Sequence, residues 1–213
     1  MTADDSDSPI PVNIEVNCEY TDEDRKIQEF LLSTQSDIDE FCWLYFIGRV
    51  YDNSRSISQK YPDSYDPELE YIYGIQSDAG SFKNTGDLDE FMQKYFSADL
   101  YKTQKAILID GWYSDGYYVP PFFINANGRL YRREAVRNRE VEMDYNTAKV
   151  IAHEGDTVIY ACLGRDWIVV PEYQALYGAL RYEDGDLKYE VLPWYIYEYD
   201  GSTYGDTKEI WGI

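Results

Sequence analysis

The apolar positions fall into a helical half and a strand half. From Ile27 they recur at helical spacing through Phe30, Leu31, Ile38, Phe41, Cys42 and Tyr45, which predicts one long helix from about residue 22 to 47. Thr21 opens it, because Thr21 with Asp24 three residues on has the form of a capping box, and Asp22, Glu23 and Asp24 suit a positive helix start. Tyr61 to Pro67 reads as a loop, since Pro62 and Pro67 exclude a continuous helix or ladder, and Leu69 to Ile75 reads as a strand. A second helix begins at Thr85, with Asp87 near its positive end and Leu88, Phe91, Met92, Tyr95 and Phe96 as its buried face. Ser97 caps a third, short helix running to about Ile107.

Past that point the period becomes two. Trp112 to Phe123 and Arg129 to Glu134 flank a turn at Asn125–Gly128. Thr147 to Ala152 and Thr157 to Leu163 flank His153–Asp156, and Ala175 to Tyr182 and Leu187 to Leu192 flank Glu183–Asp186. Trp167 to Val170 is an apolar run, and Val12, Ile14, Val16 and Cys18 alternate loosely, so an edge strand is expected within Ile10–Tyr20. Helices followed by successive hairpins predict an α+β fold, in which a long helix plus one or two short helices pack on a curved antiparallel sheet. The expected organisation is an acidic tail over 1–20 and a single domain over 21–213, helical to about 108 and sheet over about 109–195. The aromatic, acidic segment after Tyr195 receives no assignment.

Composition adds a partner class. Asp and Glu outnumber Lys and Arg by 40 to 19, a net charge of −21, so nucleic acid and anionic lipid would be repelled and a basic partner attracted, with fast, salt-sensitive association. The same charge also serves plain solubility. The 23 tyrosines, beside 8 Phe and 5 Trp, supply rings that keep a polar tip at a surface. Cys18, Cys42 and Cys162 form no Cys-x-x-Cys pair, so no zinc site is expected. Cys42 and Cys162 read as core residues, and a Cys18–Cys42 bridge stays open. No signal peptide or membrane-spanning run stands out. The solvated start from Met1 to Pro9 reads like the region after a cleaved signal or lipid-anchor site, an extracellular or cell-wall setting, although a cytoplasmic protein with such a start would read the same.

Catalytic chemistry finds little to stand on. The one histidine, His153, sits beside Glu154, Gly155 and Asp156 and reads as a surface turn residue rather than the base of a nucleophilic pair. Carboxylates alone would have to hold a metal, no loop matches a calcium or phosphate motif, and with 40 acids a glycosidase-like pair carries no information. No catalytic residue, metal or cofactor is therefore assigned.

Two surface features remain. In the stretch from Ile109 to Tyr118, two Asp-Gly turns bracket an aromatic pair. Its structural reading is a strand–turn–strand with Trp and Tyr in the core. Its functional reading is an acidic projection with an aromatic anchor, in which Asp110, Gly111, Trp112, Tyr113, Asp115 and Gly116 contact a partner. The second feature is a cluster of Arg129, Arg132, Arg133, Arg137 and Arg139, expected to make internal ion pairs, with contact to an anionic wall polymer as the lesser reading.

Three motifs carry a family resemblance. Asp87–Ser97 resembles the "DL…YF" helix, Asn127–Tyr131 the "NGxLY" hairpin, and Tyr182–Lys188 the "DGxWK" hairpin of the IseA-type DL-endopeptidase inhibitor family, with Leu187 where that family has Trp. Their order and spacing match from about residue 25 to 192. The resemblance implies a secreted Gram-positive protein with a helix held on a curved sheet in a two-lobed, cystatin- or NTF2-like body. It also implies inhibition of NlpC-type cysteine peptidases of peptidoglycan by occlusion of a positively charged cleft. Two other functions compete with this one. A module binding wall glycan or peptide predicts a coplanar row of exposed rings, and a small-ligand carrier or enzyme predicts a deep pocket inside the cone.

Overall fold

The computed structural model describes residue 16 and residues 18–47, 51–76, 80–133, 141–166, 170–192, 197–199 and 204–211. It is mixed helix and sheet, with helix α1 (Asp22–Cys42) followed by a π-helical turn over Trp43–Ile47. The capping box forms as expected. Thr21 Oγ1 accepts from the Asp24 amide, and the Asp24 carboxylate accepts from the Thr21 amide at 2.7 Å. The buried face of α1 is Asp24, Ile27, Leu31, Thr34, Ile38, Phe41 and Cys42, one apolar stripe interrupted by two polar groups that are hydrogen-bonded.

Two antiparallel sheets follow. The first has four strands in the order β1 (Tyr51–Gln59), β2 (Tyr71–Gln76), β6 (Arg129–Arg133), β5 (Phe123–Ala126). Strand β2 falls on the strand expected over Leu69–Ile75, whereas β1 occupies a stretch that carried no strand expectation; β1 pairs with β2, and β2 is completed in turn by β6, far along the chain. The second sheet runs β10 (Asp186–Tyr189), β9 (Val170–Glu183), β8 (Thr157–Asp166), β7 (Val141–Glu154), and β11 (Tyr204–Gly205) adds to β9. Register shifts between Asp144 and Lys149 and between Val150 and Ala152 mark bulges in β7, the device that bends a long strand and curls its sheet.

Helix α1 lies on β7 and covers one face of this curled sheet. Its stripe packs with Tyr145, Val158, Tyr160, Cys162, Leu176, Leu180 and Tyr189 in the main core. Helices α2 (Thr85–Tyr95) and α3 (Ala98–Lys105) close the core with Leu88, Phe91 and Met92, as their periodicity predicts. The outer face of the second sheet is covered too. Trp211, on helix α4 (Thr207–Trp211), packs on Ala161, Leu163, Ala175 and Tyr177, and its indole Nε1 donates to the Thr147 carbonyl at 3.0 Å. Burial on both faces explains the nearly unbroken apolar run of β8.

Four sequence expectations need correction or placement. Trp112–Phe123 is not one strand: Asp115 and Gly116 turn it, and Pro120 and Pro121 separate β4 (Tyr117–Val119) from β5. The three cysteines are free thiols, so Cys18 and Cys42 are not bridged. The expected strand over Ile10–Tyr20 falls mostly outside the described residues, and Cys18–Tyr20 carry no strand. The run Trp167–Val169 lies outside them as well.

Candidate interaction site

Helix α3 runs into a second π-helical turn, Ala106–Asp110, and the chain then leaves the body as a separate two-stranded hairpin. Strand β3 (Trp112–Ser114) pairs with β4 in the register Trp112–Val119, Tyr113–Tyr118 and Ser114–Tyr117. Asp115 and Gly116 have φ of 52° and 86°, the two consecutive left-handed residues that a type I′ hairpin turn requires.

Its base is pinned twice. Gly111 has φ of 76° and lies directly under the Tyr118 ring, so a Cβ there would sit 2.2 Å from Tyr118 Oη, and that hydroxyl donates to the Asp110 carbonyl at 2.8 Å. The Tyr61–Glu70 loop buttresses the other side. The Tyr118 amide donates to the Asp63 carbonyl at 2.7 Å, Ser64 bridges Tyr118, and Ser64 Oγ closes its own turn on the Asp66 carbonyl. Tyr61 connects the two parts to the first sheet. Its ring lies 5.5 Å from that of Tyr118 and 5.7 Å from that of Tyr71, and its hydroxyl is 3.1 Å from that of Tyr73, which donates to Pro121. Burial pushes the Tyr61, Tyr73 and Tyr118 phenols up, so they stay neutral.

What this frame presents is aromatic and acidic. Tyr65, Tyr113 and Tyr117 are 80%, 65% and 46% exposed. Asp63, Asp66, Glu68, Glu70, Asp110 and Asp115 are all exposed around them, and Lys60, paired with Glu68 at 2.8 Å, is the cation in these two segments. Of the six residues singled out in the sequence, Asp110, Tyr113, Asp115 and Gly116 are exposed, whereas Gly111 and Trp112 are half-buried. The projecting rings are therefore Tyr113 and Tyr117, with Tyr65 from the neighbouring loop, rather than Trp112. Tyr65 and Tyr117 escaped sequence reasoning, although Tyr65 between Pro62 and Pro67 could have been flagged as a ring with no period to bury it.

The exposed rings cross one another. Tyr65 meets Tyr117 at 72° and Tyr113 meets Tyr118 at 59°, so they form no flat platform for a sugar. The inside of the curled sheet, where a carrier would hold its ligand, is occupied by the α1 stripe and by Tyr145, Tyr160 and Tyr189. A groove of about 330 Å³ does lie between α1 and α2, but three of the four acids that line it, Asp37, Glu40 and Asp87, are engaged in holding the fold. Glu40 accepts from the Ser81 amide and hydroxyl, Asp87 caps α2, and Asp37 accepts from the Tyr95 hydroxyl.

Two arginines of the cluster turn inward. Arg132 is 1% exposed, its Nη2 donates to the Tyr45 carbonyl at 3.0 Å, and its guanidinium lies 5.0 Å from the centre of the Phe122 ring. Arg133 donates to the Pro120 carbonyl and lies over Tyr71 and Phe122. Arg129 is exposed, and Arg137 and Arg139 lie outside the described residues. Contact of Arg132 with a wall polymer is thereby ruled out. His153 is exposed, with Nε2 3.2 Å from Glu23 Oε2, and burial pushes the Cys42 and Cys162 thiols up, away from the reactive thiolate. Among the described residues no group of three or more His, Cys, Asp or Glu could hold a metal, and no helix is long and apolar enough to cross a membrane.

The sequence matches no protein-family model and no curated protein.

Proposed function

We propose that this chain is a non-catalytic acidic protein that seats its tyrosine hairpin in the basic cleft of a partner enzyme and closes it. One observation carries the reading: the 112–119 hairpin stands apart as its own small sheet, with Tyr113, Tyr117 and the Asp115–Gly116 tip exposed among six carboxylates. Rigid aromatic rings suit a contact surface because they bring large area at low entropic cost, and the pinned base means little order has to be gained on binding. The acids would steer a cationic groove onto the hairpin and pair with it once docked.

The sequence resemblance supplies the partner class, an NlpC-type cysteine endopeptidase of peptidoglycan, and with it an extracellular or cell-wall location. A cystatin- or NTF2-like relation of α1 to the curled sheet belongs to the same proposal.

The test is titration against a purified wall endopeptidase of that class. Competitive inhibition at micromolar protein is expected at low salt, weakening as salt is raised, and Tyr113→Ala should raise the inhibition constant about tenfold, as for a central aromatic anchor. Absence of inhibition under those conditions, or equal potency of Tyr113→Ala, overturns the reading.

A further inference from the structure

The most exposed ring in the described chain, Tyr65, does not stand alone. It meets Tyr117 with ring centroids 5.2 Å apart and planes at 72°, and both rings face solvent at 80% and 46% exposure. The two residues are remote in sequence and belong to segments joined here by the Tyr118–Asp63 backbone hydrogen bond, the Ser64–Tyr118 bridge and the Tyr61–Tyr118 ring contact. The neighbouring tyrosine contacts, Tyr113 with Tyr118 and Tyr61 with Tyr118 and Tyr71, are less suited to oxidation because Tyr61, Tyr71 and Tyr118 are half-buried and the Tyr118 hydroxyl is held on the Asp110 carbonyl.

From this we infer that Tyr65 and Tyr117 are an oxidative crosslinking site, at which a one-electron oxidant such as a haem peroxidase with hydrogen peroxide joins the buttressing loop to the hairpin as an intramolecular dityrosine. Each phenol gives up one electron and its hydroxyl proton, leaving two phenoxyl radicals. The radicals couple through a new bond between ring carbons ortho to oxygen, and the two displaced ring protons return to the oxygens. The chain loses two electrons and two protons, and one hydrogen peroxide takes them up to form two waters. The crossed rings must swing toward each other first, a rotamer change that the 80% exposure of Tyr65 favours. The product would lock the hairpin to its buttress, a covalent form of the order that Ser64 and Tyr118 already impose.

The inference is independent of any partner and is tested on the protein alone. Dilute protein treated with horseradish peroxidase and stoichiometric hydrogen peroxide should give blue dityrosine fluorescence in the monomer band and a mass lower by two hydrogens. The crosslinked peptide should contain Tyr65 and Tyr117. Tyr65→Phe and Tyr117→Phe should each abolish the monomer signal, while Tyr113→Phe should keep it. Circular dichroism of the variants verifies that they are folded. Fluorescence confined to crosslinked dimers, a monomer signal that survives Tyr65→Phe, or no coupling at all overturns the assignment.

Discussion

Asp24 is 1% exposed, yet it is a carboxylate in the first turn of a helix, where most such groups face water. Three donors account for its place. Oδ2 accepts from the Thr21 amide at 2.7 Å and from the Thr21 hydroxyl at 2.9 Å, and Oδ1 accepts from the Val150 amide of β7 at 2.7 Å. One side chain thus completes the cap of α1 and fixes that end of the helix against the edge strand of the curled sheet. Gln28 repeats the tie one turn on, with Nε2 donating to the Ala148 carbonyl. A capping interaction is worth about 1 kcal/mol, and a buried amide left without an acceptor costs about 1–3 kcal/mol. Asp24→Ala should therefore destabilise the fold by about 2–4 kcal/mol, against about 1 kcal/mol for Thr21→Ala, which touches the cap alone. Urea unfolding of the two variants compares them directly, and equal losses would show that the bond to Val150 contributes nothing.

At the scale of elements, the hairpin depends on one glycine for its position and on another for its turn. Gly111 combines a left-handed backbone with a ring pressed against its Cα, whereas Gly116 has φ of 86° and open space around it. Gly116→Ala should cost about 1 kcal/mol of backbone strain. Gly111→Ala adds to that strain a displaced Tyr118 ring, for a total of about 2–4 kcal/mol, and should also raise amide exchange at Tyr118 as the Asp63 contact is lost. If the two variants unfold at the same urea concentration, the Tyr118 lid is not what holds the base. The turns themselves were legible. Asp115–Gly116, Asn127–Gly128, Gly155–Asp156 and Asp184–Gly185 all sit in stretches the sequence marked, and the caps at Thr21, Asn84 and Ser97 lie where helix periodicity begins. What was not legible depends on contacts distant in sequence. The largely polar β1 (YDNSRSISQ) carries a register shift between Asp52 and Ile57, so no alternation survives to announce it. Tyr65 finds its ring partner in Tyr117, and Trp211 is placed by the outer face of β8 and β9 and by the Thr147 carbonyl of β7. Nor could spacing alone tell which ring of the Trp112–Tyr113 pair faces out, since that depends on which side of the hairpin packs toward the body.

The whole molecule is held by a core unusually rich in groups that ionise in alkali. Cys42, Tyr145, Tyr160, Cys162 and Tyr189 are each at most 3% exposed in the main cluster, and burial pushes all five up from their ordinary values. In the unfolded chain the thiols titrate near about 8.5 and the phenols near about 10. Below those values both states hold the protons and the stabilisation is complete. As pH rises through them the unfolded chain releases protons that the folded chain keeps, so stability falls by about 1.4 kcal/mol per pH unit for each group. The loss begins with the two thiols near about pH 8.5 and steepens near about pH 10 to roughly 7 kcal/mol per unit when all five contribute, against an ordinary total of about 5–15 kcal/mol. Cooperative alkaline unfolding is expected within about one to two units above pH 10. Self-repulsion of the −21 charge pushes the same way, but salt separates the two causes, because it screens the repulsion and leaves the proton linkage in place. Phenolate absorbance followed together with near-ultraviolet circular dichroism, at low and at high salt, is the measurement. Exposed tyrosines should ionise first, and a second step in phenolate should coincide with loss of tertiary structure at both salt concentrations. Ionisation of every tyrosine in one step with the fold intact, or an alkaline transition that high salt removes, would mean that the buried phenols and thiols do not set the limit.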